Sequence, residues 1–435
     1  MGILRMRKEG LLFLCFCSMV FGDPTRNQRN RISIDDLGNG VFVWEEFSNH
    51  HFVIKSTFLT ASDIGGSLSE PIALSPPGRD AFFADVKINQ SQKVLAVWQT
   101  VSPDQAFVLQ AAAGDLNEAE WGAIKDISVD ASLPKIGIDS SGNGVIIWQR
   151  KLGNQYIVSA ATYSAPTGQW GATVDISSPS RTFLFPEVAI NSGGNAVAIW
   201  QYFDGRNFLI QSSYLPFGFS NWSSPITLSD SLHTASNPGI ALNDSGKVLA
   251  IWQTSNGTNL IIQATTSSFG STWDHATDLS IAGQNALNPE IVLNNSGKAV
   301  AIWQRHNGTN HIVQAATFIT NWSIPSNLSL PELNATMPKV AITPSGEAAA
   351  VWQADKNGEF VIQSSFLEMG MPWSTAVDIS EPGQRASLPQ IGVDSTGKPV
   401  AAWQAKNNSS IQVAKSSQTI NGHVILDQVT DAKDL

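Results

Sequence analysis

The chain has 435 residues, 26 Lys+Arg against 36 Asp+Glu for a net charge of −10, 42% hydrophobic residues and two cysteines. An acidic surface repels nucleic acid and anionic lipid, and two cysteines are too few for a disulfide framework or a thiolate metal cluster. Length alone suggests two or three domains, a prior that internal repetition overrides.

Residues 1–22 read as a signal peptide. Arg5, Arg7 and Lys8 precede the apolar run from Leu11 to Phe21, and Val20 and Gly22 are small enough to flank a cleavage site before Asp23. The run is too short for a permanent span, and no later segment is apolar enough, so no transmembrane segment is expected after its removal. Losing Arg5, Arg7, Lys8 and Glu9 with the leader takes the net charge from −10 to −12. Cys15 and Cys17 leave too, so the mature chain carries no disulfide. A secreted protein of this size without one points to a bacterial product, exported or held in the periplasm or cell envelope.

Residues 23–435 repeat a unit of about fifty residues. Its marker is Trp44, Trp98, Trp148, Trp200, Trp252, Trp303, Trp352 and Trp403, at intervals of 54, 50, 52, 52, 51, 49 and 51 residues. A glutamine follows each except Trp44, which precedes Glu45. A second series (Trp121, Trp170, Trp222, Trp273, Trp322, Trp373) accounts for the rest of the fourteen tryptophans. Each unit divides into four β-prone runs, as in residues 289–329: PEIVL, then KAVAIWQ after an Asn-Ser-Gly turn, then HIVQAATF, then WSIPSNLS. The second and third runs are Val-, Ile- and Ala-rich on both sides, as in a sheet covered on both faces. The fold expected is all-β, a single β-propeller of eight blades of four antiparallel strands, the first beginning near Arg31 and the last ending near Val429.

Fixed repetition on strand interiors makes the tryptophans packing anchors between blades, each burying ~200 Å², or roughly 5 kcal/mol at ~25 cal/mol/Å². The glutamines beside them, with Gln211, Gln263, Gln314 and Gln363 on the third runs, must find partners, because an unpaired buried amide is costly. An outer-membrane barrel is disfavoured by the short first and fourth runs. The docking motif of eight-bladed quinoprotein propellers fails on spacing, since Gly397 precedes Trp403 by six residues.

The turn after the third run resembles the Asp-box, S-x-D-x-G-x-x-W, of sialidases and related propeller repeats. Residues Thr266 to Trp273 fit it with Ser268 at the Asp position and Gly270 at the glycine, and Phe366 to Trp373 fit with Glu368 and Gly370. The resemblance covers the whole mature chain and implies a sialidase-like propeller. Sialidases would also bring an arginine triad, a tyrosine nucleophile and an acidic acid/base residue. Their Arg-Ile-Pro string is absent, Arg31-Ile32-Ser33 being the nearest, and all four tyrosines fall between residues 156 and 214. No catalytic residue is therefore assigned.

In a propeller, the loops between blades share one rim with the second-to-third hairpins. Apart from three near the terminus, the mature arginines all map to that rim: Arg79, Arg181 and Arg385 between blades, and Arg150, Arg206 and Arg305 in hairpins. A guanidinium fork suits carboxylate, sulfate or phosphate. The expected ligand-binding residues are Arg150, Arg181 and Arg206 with Tyr156 and Tyr202 beside them, and Arg305. Loops that merely carry charge are the alternative. His306 and His311 flank one hairpin without metal-ligand spacing, and no metal or cofactor is expected. The functional expectation is a non-catalytic propeller that binds a glycan or protein partner, possibly anionic. The alternatives are a divergent sialidase-like glycoside hydrolase or a structural scaffold of an envelope complex.

Overall fold

The structure, a computed structural model, describes residues 30–431 apart from 61–67, 180, 369, 406–409 and 421–422. The leader and both cysteines lie outside the described residues. Among those described, no helix is long and apolar enough to cross a membrane.

Eight antiparallel sheets follow one another in chain order, spanning residues 30–73, 81–129, 131–175, 183–227, 235–278, 286–327, 334–378 and 387–431. Each is a propeller blade whose strands pair first to second, second to third and third to fourth. Blades 2 and 3 add a two-residue bridge, Glu120–Trp121 and Gln169–Trp170, on the third strand. The first strands abut one another all round, including blade 8 against blade 1, and so form the inner wall. The second strands are buried on both faces, as Lys247–Ser255 is except at its ends. That is why Val, Ile and Ala occupy successive rather than alternate positions there.

Seven of the eight marker tryptophans are fully buried, and Trp303 packs among Ile251, Ile262 and Ala264 of the preceding blade. Third-strand glutamines satisfy four of the indoles, whereas those of Trp200 and Trp252, opposite Gln211 and Gln263, have no partner. Trp98, Trp303, Trp352 and Trp403 donate to the side-chain oxygens of Gln110, Gln314, Gln363 and Gln412 at 3.0, 3.2, 3.1 and 3.0 Å. Three of those amides pass the bond outward, to Asp126, Asn327 and Asp378 at 2.7, 2.7 and 2.9 Å. A buried donor is thereby connected to the outer strand, as a polar group in a dry core requires.

Polar contacts also fix the order of the blades. The second-strand side chain of one blade accepts the backbone N–H of a bulge in the next: Phe83 donates to Glu45, Asn237 to Gln201 and Asn288 to Gln253, at 2.8, 3.3 and 3.1 Å. In the first-to-second turns, an asparagine Nδ2 reaches the carbonyl of the next blade's turn, from Asn89 to Asp139, Asn243 to Asn294 and Asn294 to Thr343, at 2.9, 3.1 and 2.9 Å. On the inner wall, one register position carries Arg31, Asp85, Lys135, Glu187, Gly239, Glu290, Lys339 and Gln390 in blade order. Its charges pair between neighbouring blades: Arg31 with Asp85, Lys135 with Glu187, and Lys339 with Glu290.

The bulges themselves are strained. In blades 2 to 8 the first strand slips by one residue, placing Phe83, Leu133, Phe185, Asn237, Asn288, Met337 and Leu388 at φ between 52° and 56°. Left-handed backbone costs a residue with a Cβ roughly 1–2 kcal/mol, which asparagine tolerates best and glycine avoids.

The ring closes by packing. Phe42, Trp44 and Leu59 of blade 1 cluster with Val400, Ala402 and Val413 of blade 8, and Ser395 N–H donates to the Asp36 carbonyl at 2.8 Å. Among the described residues, no strand is exchanged between the two blades.

Candidate functional site

Two loops on the rim of blade 4 are tied into one unit. The hairpin Asp204-Gly205-Arg206-Asn207 turns through Gly205, whose φ of 109° favours glycine. Asp204 Oδ1 accepts the N–H groups of Arg206 and Asn207 at 2.7 and 2.8 Å. These bonds hold the Asp204 carboxyl below its usual range, Asn207 contributing most, with the charges of Arg181 and Arg206 adding. Arg181 Nη1 approaches Gly205 of this hairpin, so two exposed cations lie near one carboxylate on an acidic protein. The second loop is residues 230–234, leading into blade 5. Asn207 Nδ2 donates to the Ser231 carbonyl at 2.9 Å, and Thr234 Oγ1 donates to Asn207 Oδ1 at 3.2 Å. On it, His233 Nδ1 lies 3.1 Å from Asp230 Oδ2. The Leu232 N–H first, then His233, lowers the Asp230 pKa. Phe203 and Phe208 face each other across the hairpin at 5.2 Å, with Phe203 exposed. The unit therefore offers an anion-binding fork, an imidazole oriented by a carboxylate and an aromatic surface.

The expected ligand residues divide. Arg181 and Arg206 both lie within electrostatic reach of Asp204. Arg150 does not join them. Gly153 and Asn154 alone make its hairpin turn, so Arg150 lies within the second strand, Gly144–Leu152, rather than in a loop. Its Nη2 binds both oxygens of Asp175 on the outer strand, at 2.7 and 2.8 Å, and its Nε donates to Ser159 Oγ at 3.2 Å. Ser159 stands opposite Trp148, where blade 1 has Lys55 and the other six blades have glutamine. Arg150, Ser159 and Asp175 therefore replace the missing relay, and the Trp148 indole is left without a partner. Tyr156 begins the third strand of the same blade, and burial raises its pKa. Tyr202 stacks on Phe183 at 5.8 Å beside the blade 4 unit. Arg305 lies in the second strand of blade 6, again not in a loop, between Ala286 and Ile312 in register, with Nε buried and unpaired. His306 and His311 meet edge to face at 5.3 Å, and burial, then His306, lowers the His311 pKa. Among the described residues, no three His, Cys, Asp or Glu side chains cluster as metal ligands would.

The rim also carries a run of four phenylalanines. Phe47 faces Phe52 across the blade 1 hairpin at 5.1 Å, Phe52 lies 5.3 Å from Phe82, and Phe82 lies 6.3 Å from Phe83 at the bulge of blade 2. Phe47 is 58% exposed, so the run leads from solvent to the inner wall.

No family model and no curated protein matches the chain. Solved structures do. A polysaccharide lyase described as an ulvan lyase of a new family has 10% identity and a TM-score of 0.53, covering 75% of this chain and 90% of that one. The polysaccharide lyase Uly1 has 9% identity and a TM-score of 0.52, covering 80% and 91%. A Hadza microbial sialidase has 11% identity, covers 72% and 73%, and at a TM-score of 0.42 is too distant to carry weight. The likeness is one of fold, shared with propellers that process glycans. Two propellers that this chain matches above a TM-score of 0.5 are lyases, which corrects the expectation of a non-catalytic partner-binding propeller.

Proposed function

We propose that the protein is an exported enzyme that cleaves an acidic polysaccharide on the rim of blade 4. The observation that carries this is Arg181 and Arg206 near Asp204, with the His233–Asp230 pair on a loop that Asn207 ties to the Asp204 hairpin. The fork of an arginine takes a sugar carboxylate. Neutralising that carboxylate acidifies the adjacent C–H bond. His233, its imidazole held by Asp230, takes the proton, and the electron pair expels the glycosidic oxygen from the next carbon. The imidazolium returns the proton to the departing oxygen, leaving an unsaturated sugar. Phe203 and Phe208 offer a surface for stacking. The fold supports the reading, and an ulvan lyase neighbour has been solved with a glycan containing GlcA.

The test is to incubate the mature chain with polyuronates, ulvan and neutral polysaccharides, following both ultraviolet absorbance of unsaturated product and new reducing ends. Elimination confined to acidic substrates and lost in His233→Ala is expected. Reducing ends without unsaturation would replace elimination by hydrolysis, and no cleavage of any substrate would overturn the enzyme reading. Export through residues 1–22 predicts a secreted form whose first residue is Asp23, readable by N-terminal sequencing.

A further inference from the structure

We propose that the mouth of the central channel is a glycan subsite that takes a neutral sugar of the same polysaccharide; this rests on the reading of the blade 4 rim as a glycan-cleaving site. Three observations carry it. The first is strain. The bulges put Phe83, Leu133 and Phe185 in left-handed backbone, where glycine would fit without penalty. A scaffold that repeats a strained bulge yet keeps large side chains on it keeps them for what they contact.

The second is their arrangement. The aromatic members belong to blades 2 and 4, with aliphatic ones in blades 3, 7 and 8, and the phenylalanine run from Phe47 delivers Phe83 to the mouth. In blades 5 and 6 the same bulge position holds Asn237 and Asn288. Asn237 Nδ2 donates to Asn288 Oδ1 at 3.0 Å, and Asn288 Nδ2 donates to Gln304 Oε1 at 3.0 Å. Blades 5 and 6 are four steps round an eight-bladed ring from blades 1 and 2, so this amide chain faces the aromatic run across the mouth. A pyranose has an apolar C–H face and a rim of hydroxyls. The first matches an aromatic wall and the second a row of side-chain amides, which both donate and accept.

The third is charge. Two residues along each first strand lies the ring of Arg31, Asp85, Lys135, Glu187, Glu290 and Lys339, whose three cations and three anions are already paired. A carboxylated or sulfated sugar entering the mouth would meet no uncommitted counter-charge in that ring. A neutral one loses nothing there. The substrate class is thus a heteropolysaccharide in which a charged unit at Arg181 and Arg206 accompanies a neutral one at the mouth.

The test uses calorimetry on the full mature chain with neutral cello-, xylo-, manno- and rhamno-oligosaccharides. Phe83→Gly relieves the strained backbone while removing the aromatic wall, and Met337→Gly, at a bulge in neither wall, reports strain relief alone. At least one neutral oligosaccharide is expected to bind the parent and to bind Phe83→Gly about tenfold more weakly. Met337→Gly and His233→Ala should bind it as the parent does, and Met337→Gly should melt no lower than the parent. Binding equal in Phe83→Gly and the parent, or no binding by any of the panel, overturns the proposal. Cleavage of acidic polysaccharide by the parent is scored separately, so failure at the mouth is distinguished from failure of the enzyme reading.

Discussion

Trp148 and Trp303 are both fully buried at equivalent positions, yet only Trp303 has an indole partner, Gln314 at 3.2 Å. Replacing each by phenylalanine removes the same atoms, so the transfer and cavity costs cancel to first order. The polar costs do not. Trp303→Phe leaves the Gln314 oxygen buried without its donor, about 1–3 kcal/mol. Trp148→Phe deletes an orphan donor and recovers part of a penalty of the same size. Trp303→Phe should therefore be the more destabilising by about 2–4 kcal/mol. Urea unfolding followed by circular dichroism is the assay, with both slopes required to match the parent. Thermal melting is a blunt reporter here, because in a chain this long each kcal/mol moves Tm by only about 1–2 °C. Equal losses in the two variants would refute the claim that the indole–glutamine relay, rather than ring burial alone, distinguishes the blades.

Arg206→Ala should weaken acidic substrate without lowering stability, and added salt should weaken the parent's binding because the site is exposed. Arg150→Ala should leave substrate binding unchanged and cost no more than about 1 kcal/mol, since it strips a charged partner from the exposed Asp175; the opposite pattern would mean that the two arginines have exchanged roles. Asn294→Asp keeps the oxygen that accepts Lys298 N–H within the turn but loses the donor to Thr343, so it should cost about 1–3 kcal/mol through the contact with blade 7 alone, readable in urea. The His311 pKa is lowered below the ordinary 6.5 by burial and by His306. The unfolded chain therefore binds that proton more readily, and stability present above pH 6.5 should fall as the pH drops toward the folded value. Removing the group in His311→Asn should flatten that fall, and an unchanged pH profile would exclude it as the cause.

The blade count and the burial of the tryptophans were legible because period and residue type both act locally. The partners of the glutamines were legible only as a need. Which amide meets which donor depends on register, and Gln314 meets Trp303 because the two strands pair at that pair of residues. Arg150 misled for the same reason: a two-residue turn and a serine at one register position sent it to the outer strand. Arg181 and Arg206 do occupy true loops, one between blades 3 and 4 and one in the blade 4 hairpin. His233 carried a readable cue, an aspartate three residues before it, but the tie through Asn207 that brings it to the arginines is a contact between loops. The bulges were invisible, since phenylalanine and leucine argue against left-handed backbone and only the tertiary ring imposes it.

Because blade 8 meets blade 1 through side-chain packing and a turn hydrogen bond rather than a shared strand, the covalent order of the chain and the circular order of the blades are independent properties. Each blade arrives whole, so whichever junction is left unlinked, the same eight sheets can form. Joining residue 431 to residue 30 by a linker and reopening the chain between blades 4 and 5 would leave every strand pair intact. The same independence makes a blade the natural quantum of inheritance. A duplication or deletion of about fifty codons in phase with the repeat adds or removes one complete wedge, changing the width of the channel without breaking any ladder.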